Sequence, residues 1–413
     1  MTVHADRRTG RGEWLSHAVL PLRTLLLLAV ILATAHAAET PATSKKPQAT
    51  KPKAKKQKAK KPKPKKSPWQ FHPTLDLSCA YDGTVIPRHG GSRDAVSTWR
   101  TSVAPGFALS HRVGTTRSAL TYSFVTRSYT DVDERDSTSH RVRLSHSRRL
   151  SAKWGLRISD YATYVQDTGG ENDEAISALT TYIYNRARVT ADYALAPRWK
   201  LLLGLAHSVR DYQESIYRDS NTIAPSWGLQ WRPNKRDRWQ LNHEFKHHDV
   251  DRQEIVQTHR LLAGYATALP WKVYLDAQLG VLWFQNTGST YPAGRVVLRR
   301  AWGRARLSLR CERSSSVTSY YGATRRDYVS LRPQYKLDKN TDLIGRVSLV
   351  LSESVEDDRI DTSTWRYGLT LRRRLTRWLT GDVGYTYVDQ NARGISGYDI
   401  HGPIALAGLH ARF

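Results

Sequence analysis

The sequence predicts an all-β fold, an antiparallel transmembrane β-barrel of about eighteen strands that follows a disordered N-terminal tail. Three observations predict it. Apolar and polar residues alternate with a period of two from Trp69 to the end of the chain. Short turns that end in tryptophan recur along this region. No apolar run approaches the roughly 20 residues that a membrane-spanning helix needs.

The distribution of charge argues against the first interpretation of so basic a chain. A net charge of +27 over 413 residues is typical of nucleic-acid-binding proteins. Residues 1–68, however, hold 16 of the 64 Lys and Arg residues and only three acids, whereas the remainder holds 48 basic and 34 acidic residues. The excess is therefore concentrated in the tail. Two cysteines in the whole chain exclude a disulfide scaffold.

Residues 1–37 have the features of a secretory signal peptide. An apolar segment of nine residues, LLLLAVILA, follows Arg23 and is followed in turn by Ala35, His36 and Ala37. A basic flank, a short apolar core and an A-x-A site are the three parts of such a signal. We therefore expect export, with cleavage near Ala37 and Ala38.

Residues 38–68 are rich in Lys, Pro and Ala and contain almost nothing that could form a core. We expect this segment to be disordered and to lie in the periplasm. A solvated spacer is the simplest interpretation. The alternative is an electrostatic tether, through residues 40–68, to peptidoglycan or another acidic surface. A nucleic-acid-binding tail would have the same composition, but an exported chain seldom meets nucleic acid, so we expect no nucleic-acid partner.

Residues 69–413 form the predicted barrel. The segment from Val273 to Trp283 is an example, because its odd positions are apolar and its even positions are mostly polar or small. Many such segments reach about 12 residues, which is longer than typical soluble strands and long enough for a tilted membrane strand. Alternation is weak near residues 256 and 291, so sixteen strands is the alternative count. The predicted strands begin near 70, 97, 117, 138, 153, 177, 198, 222, 237, 256, 271, 291, 304, 323, 341, 363, 377 and 399.

Tight turns alternate with longer polar connections that often contain acids. Each tight turn begins with leucine and ends in tryptophan, with one to three residues between them that include a basic residue or proline, as in 150–154, 195–199, 269–271 and 375–378. Tryptophan next to a basic turn suits the interfacial ring of a membrane barrel. No predicted loop exceeds about a dozen residues, so we expect no long loop folded into the barrel.

The C-terminal segment ALAGLHARF places Leu409, Ala411 and the terminal Phe413 on one apolar face. Here the chain resembles the outer-membrane β-barrel superfamily, in which the last strand commonly ends in an aromatic residue. The resemblance covers residues 69–413 by pattern, and it extends to porin-like barrels and to barrels associated with exopolysaccharide export. It implies insertion into outer-membrane lipid, and recognition of Leu409, Ala411 and Phe413 by the barrel-assembly machinery.

If the apolar rows meet lipid, the opposite rows line a lumen that is rich in arginine. Some of these arginines pair with the inward acids Asp76, Asp192, Glu244, Asp276, Glu312 and Asp382, and the rest require water. Rings of arginine favour anions. The alternative is that the arginines only brace the wall, through cross-strand pairs and stacking on Tyr182, Tyr184 and Tyr274. The predicted pore-lining residues are Arg100, Arg112, Arg127, Arg141, Arg143, Arg186, Arg188, Arg210, Arg306, Arg310, Arg332, Arg366, Arg372 and Arg374.

Enzymatic signals do not converge. His243, His247 and His248 lie near Glu244 and Asp249, but His248 is on the opposite face of its strand from the other two histidines. No nucleophile with a placed base and no glycine-rich phosphate loop is evident. We therefore predict no catalytic residues, no metal and no cofactor.

The predicted function is passive passage of anionic solutes or of an acidic polysaccharide through an outer-membrane channel. A structural or cell-wall-tethering barrel without conductance is the alternative, and an outer-membrane enzyme is a further, weaker one. Four polar residues, His111, Asp160, His207 and Arg373, fall on the predicted lipid face. They lie at the interface or above the membrane in this scheme, unless a bulge shifts the alternation.

Overall fold

Eighteen antiparallel strands form one closed barrel. Each strand pairs with its neighbours in the sequence, and β1 also pairs with β18. The strands are β1 Trp69–Val85, β2 Val96–Val113, β3 Thr116–Tyr129, β4 Ser137–Arg149, β5 Trp154–Val165, β6 Tyr182–Ala196, β7 Trp199–Tyr212, β8 Ser220–Trp231, β9 Arg238–Val250, β10 Val256–Leu269, β11 Val273–Phe284, β12 Thr290–Trp302, β13 Ala305–Thr318, β14 Gly322–Lys336, β15 Thr341–Ser354, β16 Asp361–Arg374, β17 Leu379–Arg393 and β18 Ile400–Arg412.

The computed structural model describes residues 67–85, 96–132, 135–166, 181–213, 219–251, 255–318, 322–355, 361–393 and 399–413. The predicted signal peptide, and all of the Lys/Pro/Ala-rich segment except Ser67 and Pro68, lie outside the described residues. Within the described residues, no helix has both the length and the apolar character needed to cross a membrane.

The first and last strands close the barrel. Their register runs from Thr74 opposite Arg412 to Asp82 opposite Ile404. The Phe413 N–H donates to the Pro73 carbonyl at 3.0 Å, and the Phe413 ring stacks 5.4 Å from Trp378. Trp378 lies in a tight turn, so the barrel begins and ends on the side of the tight turns. We call this side the turn end and the opposite side the loop end.

The outer face of the barrel is apolar and exposed. Phe71, Leu279 and Val383 are each more than 60% exposed, although large apolar side chains normally form the core of a soluble protein. The residues between them along each strand belong to inner rows that are mainly polar or charged. This inverted arrangement is the one that a barrel in lipid requires.

A ring of aromatic side chains surrounds the turn end on the outside. Neighbouring strands contribute rings in contact, including Trp154 with Tyr193 at 4.6 Å and Trp239 with Tyr265 at 4.6 Å. These tryptophans follow the tight turns, as the sequence pattern predicts. Such rings suit an interface between apolar and aqueous surroundings.

Two of the tight turns differ in their construction, one containing side-chain hydrogen bonds and the other two residues with positive φ. In the β8–β9 turn, hydrogen bonds from Thr267, Asn234 and Tyr265 keep the pKa of Asp237 below its usual range. In the β10–β11 turn, which contains the short 3-10 segment Pro270–Lys272, Trp271 and Lys272 have φ values of 57° and 60°. Two consecutive residues with positive φ form the turn that best fits the twist of a hairpin, but glycine and asparagine are its preferred residues.

The predicted strand count of eighteen is confirmed, and sixteen is excluded. Most strands begin within two residues of the predicted positions. The largest difference is β6, which begins at Tyr182 rather than near 177. Residue 177 lies outside the described residues, and the pairing of β6 with β5 is described from Tyr182, opposite Val165, onward.

Candidate functional site

The interior of the barrel is the candidate site. Inner rows are identified by contacts that cross several strands, which only the concave side allows. Arg260 of β10, for example, lies 3.1 Å from Glu244 of β9 and 3.7 Å from Glu312 of β13, past two intervening strands. The strand register places all fourteen predicted pore-lining arginines on these inner rows. Their role as the lining of a conducting pore stays a prediction.

All six acids predicted to face inward have a basic or histidine neighbour. Most of these neighbours are not among the fourteen arginines; only Arg310 is. The contacts are Asp76 with His410 at 2.8 Å, Asp382 with His410, Asp192 with Lys200 at 3.7 Å, Glu244 with Arg260 at 3.1 Å, Asp276 with Arg238 at 2.7 Å, and Glu312 with Arg310 and with Arg260.

Sequence reasoning did not place three of these basic partners, Lys200, Arg238 and Arg260, among the inward residues. Arg238 is the first residue of β9, and a strand's first residue is hard to assign to a face. Arg260 lies on β10, where the alternation is weak. It also missed the ion pair of Arg100 with Asp82 at 3.0 Å. A search of the adjacent strand for a partner of Asp82 would have identified Arg100. Arg100 lies opposite Ala80 in the β1–β2 register, two residues from Asp82 and on the same face.

Some of the fourteen arginines do brace the wall. The guanidinium of Arg210 lies 5.7 Å from the Tyr182 ring and 5.3 Å from the Tyr184 ring, and that of Arg143 lies 5.4 Å from Tyr161. Contacts of this kind are stabilising when partly desolvated. Tyr274, in contrast, accepts a hydrogen bond from Arg238 at 3.4 Å.

Arg186 and Arg188 on β6 differ from the braced arginines. Both are on an inner row, yet both side chains are exposed to solvent. Within the described part of the chain, neither has a carboxylate within ion-pair distance. Their charges therefore act mainly on the interior space beside them, and Glu244 also attracts Arg188 through space.

Two cavities lie along the β3–β10 side of the interior. The larger, of about 710 Å³, is lined by Arg117, Arg157 and Arg188 among others and extends toward the turn end. The smaller, of about 280 Å³, is lined by residues nearer the loop end, including Arg186, Arg210 and Lys246. Arg188 and Glu244 line both cavities, so the two spaces adjoin.

The interior is packed at the loop end. Inner-row residues of β10–β12 form an apolar cluster there, in which Leu282 and Phe284 are fully buried and Val256, Leu262 and Ala293 nearly so. Val355, just after β15, packs against the same cluster. The turn end is more open, because Asp76, Arg112 and Arg374 on its inner rows are exposed.

Part of this closure comes from the wall itself. The register between β12 and β13 stops at Gly294 opposite Arg313, so the end of β13 extends beyond the shorter β11–β12 hairpin. There, Lys246 Nζ of β9 donates to the Ser315 carbonyl at 3.0 Å, and the hydroxyls of Thr258 and Ser315 are 3.4 Å apart. The sequence led us to expect no infolded loop, and the narrowing instead comes from the β13–β14 hairpin.

The four polar residues that the sequence places on the lipid face lie on the outer rows. His111 contacts the Trp69 ring at 4.3 Å, and His207 lies 2.8 Å from Asn221. Asp160 is buried and accepts a hydrogen bond from Asn185 at 2.9 Å. Regular pairing continues through all these positions, so no bulge shifts the alternation there. Arg373 lies close to the turn end, opposite Thr341.

The remaining candidate groups do not converge. His243 stacks with His259 on the outer face, whereas His248 is buried inside beside Thr222, so the three histidines of β9 are not brought together. Among the described residues, no group of His, Cys, Asp and Glu is arranged to hold a metal ion. Cys79 and Cys311 are both free.

Comparisons with known proteins support no assignment of family. No protein-family model and no curated protein matches the chain. Among solved structures, the chain is similar to the outer membrane protein OpdK from Pseudomonas aeruginosa, with 13% identity, a TM-score of 0.43, and coverage of 83% of this chain and 98% of that one. It is also similar to a BenF-like porin from Pseudomonas fluorescens Pf-5, with 10% identity, a TM-score of 0.47, and coverage of 84% and 98%.

A third similar structure is a mutant of the ferric enterobactin receptor PfeA from Pseudomonas aeruginosa. Identity is 9%, the TM-score is 0.47, and the match covers 83% of this chain and 80% of that one. At such identities and TM-scores, the solutes of these proteins say nothing about the solute of this chain.

Proposed function

We propose that this protein is an outer-membrane channel through which anionic solutes pass passively. The observation that supports it most strongly is the imbalance of charge inside the barrel. The six acids predicted to face inward are engaged mainly by Arg238, Arg260, Lys200 and His410, and among the described residues Arg186 and Arg188 have no carboxylate within ion-pair distance. A basic interior attracts anions and repels cations.

The placement in a membrane rests on the outer face. A closed barrel with an exposed apolar surface and an aromatic ring at one end is stable in lipid and would aggregate in water. The resemblance of the C-terminal segment then favours the outer membrane, with Leu409, Ala411 and Phe413 recognised by the barrel-assembly machinery. The predicted signal peptide would deliver the chain there, with the basic tail in the periplasm. No catalytic step is assigned.

Proteoliposome swelling tests the charge preference. We expect gluconate to enter faster than glucosamine, since the two are similar in size and opposite in charge. Arg372→Glu with Arg374→Glu should reduce that preference severalfold, because both side chains are on inner rows near the turn end. The matched control is Arg198→Glu with Arg236→Glu, which makes the same change of charge in the tight turns outside the strands. Equal swelling in both solutes would contradict the proposal.

The packed loop end favours a second candidate, a structural barrel that conducts nothing. Leu282 and Phe284 face inward and are fully buried, so apolar side chains fill part of the interior at that end. The basic segment 40–68 would then attach the outer membrane to peptidoglycan. In that case, the correctly folded barrel would swell in neither solute, and a peptide of residues 40–68 would sediment with purified cell wall.

A further inference from the structure

The smaller interior cavity has the features of a binding site. It occupies about 280 Å³ between the inner rows of β6–β9 and the infolded β13–β14 hairpin. A water molecule fills about 30 Å³ of liquid, so the space would hold several waters or one small solute. The contact of Lys246 with the Ser315 carbonyl closes it on the side of the hairpin.

Basic groups reach this cavity from three directions. Arg186 and Arg188 approach from β6, Lys246 from β9, and Arg326 from β14 on the folded hairpin. Arg210 of β7 also lines the cavity and is held in place over the Tyr184 ring. Donors on three sides suit an anion with oxygens in several directions.

The charge in the cavity is strongly positive. Glu244 is the acid among its lining residues, and its carboxylate lies 3.6 Å from Lys246 and 3.1 Å from Arg260. Five basic side chains line the cavity: Arg186, Arg188, Arg210, Lys246 and Arg326. One carboxylate cannot balance Arg186, Arg188 and Lys246 together, and a monovalent anion would still leave an excess of positive charge. A dianion therefore compensates this cavity better than chloride does.

A buried histidine supplies a second, independent observation. His248 is 3% exposed and lines the cavity, and its Nδ1 lies 2.9 Å from the Thr222 hydroxyl. Its Nε2 is buried with no hydrogen-bond partner among the described residues. A buried polar atom without a partner is costly and commonly indicates a missing water or ligand.

We propose that this cavity is a saturable binding site for a phosphate-type dianion. The hydroxyls of Ser208 and Ser220 line the same space and can donate to further oxygens. A tetrahedral oxyanion uses donors on several sides, whereas a planar carboxylate uses one fork. The site rests on the proposed function, because it lies in the interior through which anions would pass. Binding there would make one step of that passage selective.

Calorimetric titration of the full chain in detergent micelles tests the site without requiring conductance. The probes are inorganic phosphate, a hexose 6-phosphate and succinate, each at pH 8 and low ionic strength. We expect saturable binding of a phosphate probe. Arg186→Gln with Arg188→Gln should weaken that binding about tenfold or more, the loss that one or two charge-assisted hydrogen bonds would cause. Arg299→Gln is the matched control, because Arg299 lies on an inner row near the turn end, outside the cavity.

The outcomes separate the site from the pathway. Tighter binding of the hexose phosphate would identify the source of the phosphate as an organic ester, and tighter binding of inorganic phosphate would identify the free ion; both support the site. Absence of phosphate binding, equal loss in the Arg299→Gln control, or tighter binding of succinate would overturn it. Anion-selective swelling without phosphate binding would overturn the site and leave the proposed function intact. Phosphate binding without swelling would support the site and overturn the proposed function.

Discussion

At the scale of single residues, the interior contains two contrasting populations of arginine, in addition to those that pair with acids. Arg210 and Arg143 stack on tyrosine rings and stiffen the wall, while Arg186 and Arg188 face solvent without a carboxylate. Both populations occupy the same sequence pattern, a basic residue at every second position of a strand. The two populations differ only in where tyrosines and acids lie on the neighbouring strands. The sequence of a single strand therefore does not show whether an arginine braces the wall or attracts solutes.

The β10–β11 turn gives a prediction about stability. Lys272 has a φ of 60°, a conformation that costs a residue with a Cβ about 1 kcal/mol or more and costs glycine almost nothing. Lys272→Gly should therefore raise the free energy of unfolding from lipid vesicles by about 1 kcal/mol. Denaturant titration followed by tryptophan fluorescence measures it. Lys339→Gly, in the β14–β15 turn, is the control, because Lys339 is not among the residues with positive φ. Greater stabilisation by Lys339→Gly would refute the argument.

At the scale of elements, the unequal length of neighbouring hairpins shapes the interior. The β11–β12 hairpin is shorter than the β13–β14 hairpin, so the end of β13 is left without a partner on one side. It leans inward, where Ser315 contacts Lys246 and Thr258. Alternation is weak near residues 256 and 291, in the two strands beside this region. The infolding could not be predicted, because it depends on contacts between strands that are far apart in the sequence.

A disulfide can test the infolded hairpin. In a chain with Cys79→Ala and Cys311→Ala, Thr258→Cys with Ser315→Cys should form a disulfide under mild oxidation, since their hydroxyls are 3.4 Å apart. Mass spectrometry of a digest without reductant detects it. Thr258→Cys with Ser308→Cys is the control, because Ser308 is on the inner row of β13 near the turn end, opposite Arg299. Equal cross-linking in both pairs would mean that the end of the β13–β14 hairpin does not stay next to Thr258.

At the scale of the whole molecule, much of the barrel was predictable from the sequence. A period of two fixes which side chains share a face, and the tryptophans fix where strands turn. Eighteen strands, the closed fold and the inner position of the fourteen arginines follow from those two regularities. Even Asp160 and His207, which contradict the apolar outer face, keep the predicted phase.

The interior was less predictable, for a physical reason. Partners such as Arg260 and Glu312 are separated by two strands in space and by about fifty residues in the sequence. Alternation shows on which face of the sheet a side chain lies, but not how far along the barrel axis it lies. Two residues form an ion pair only if they lie at a similar level along that axis. The closure at the loop end likewise depends on how Phe284, Tyr291 and Val355 meet, which no local pattern encodes.

The reversal potential of the refolded barrel in a planar bilayer under a KCl gradient tests the central claim most directly. The claim is that the interior attracts anions because, on the inner rows that the structure describes, basic residues outnumber acids. The account predicts discrete open steps and a reversal potential close to the equilibrium potential of chloride, with the preference weakening as salt screens the inner charges. A reversal potential on the potassium side, from a barrel that is correctly folded, would contradict it.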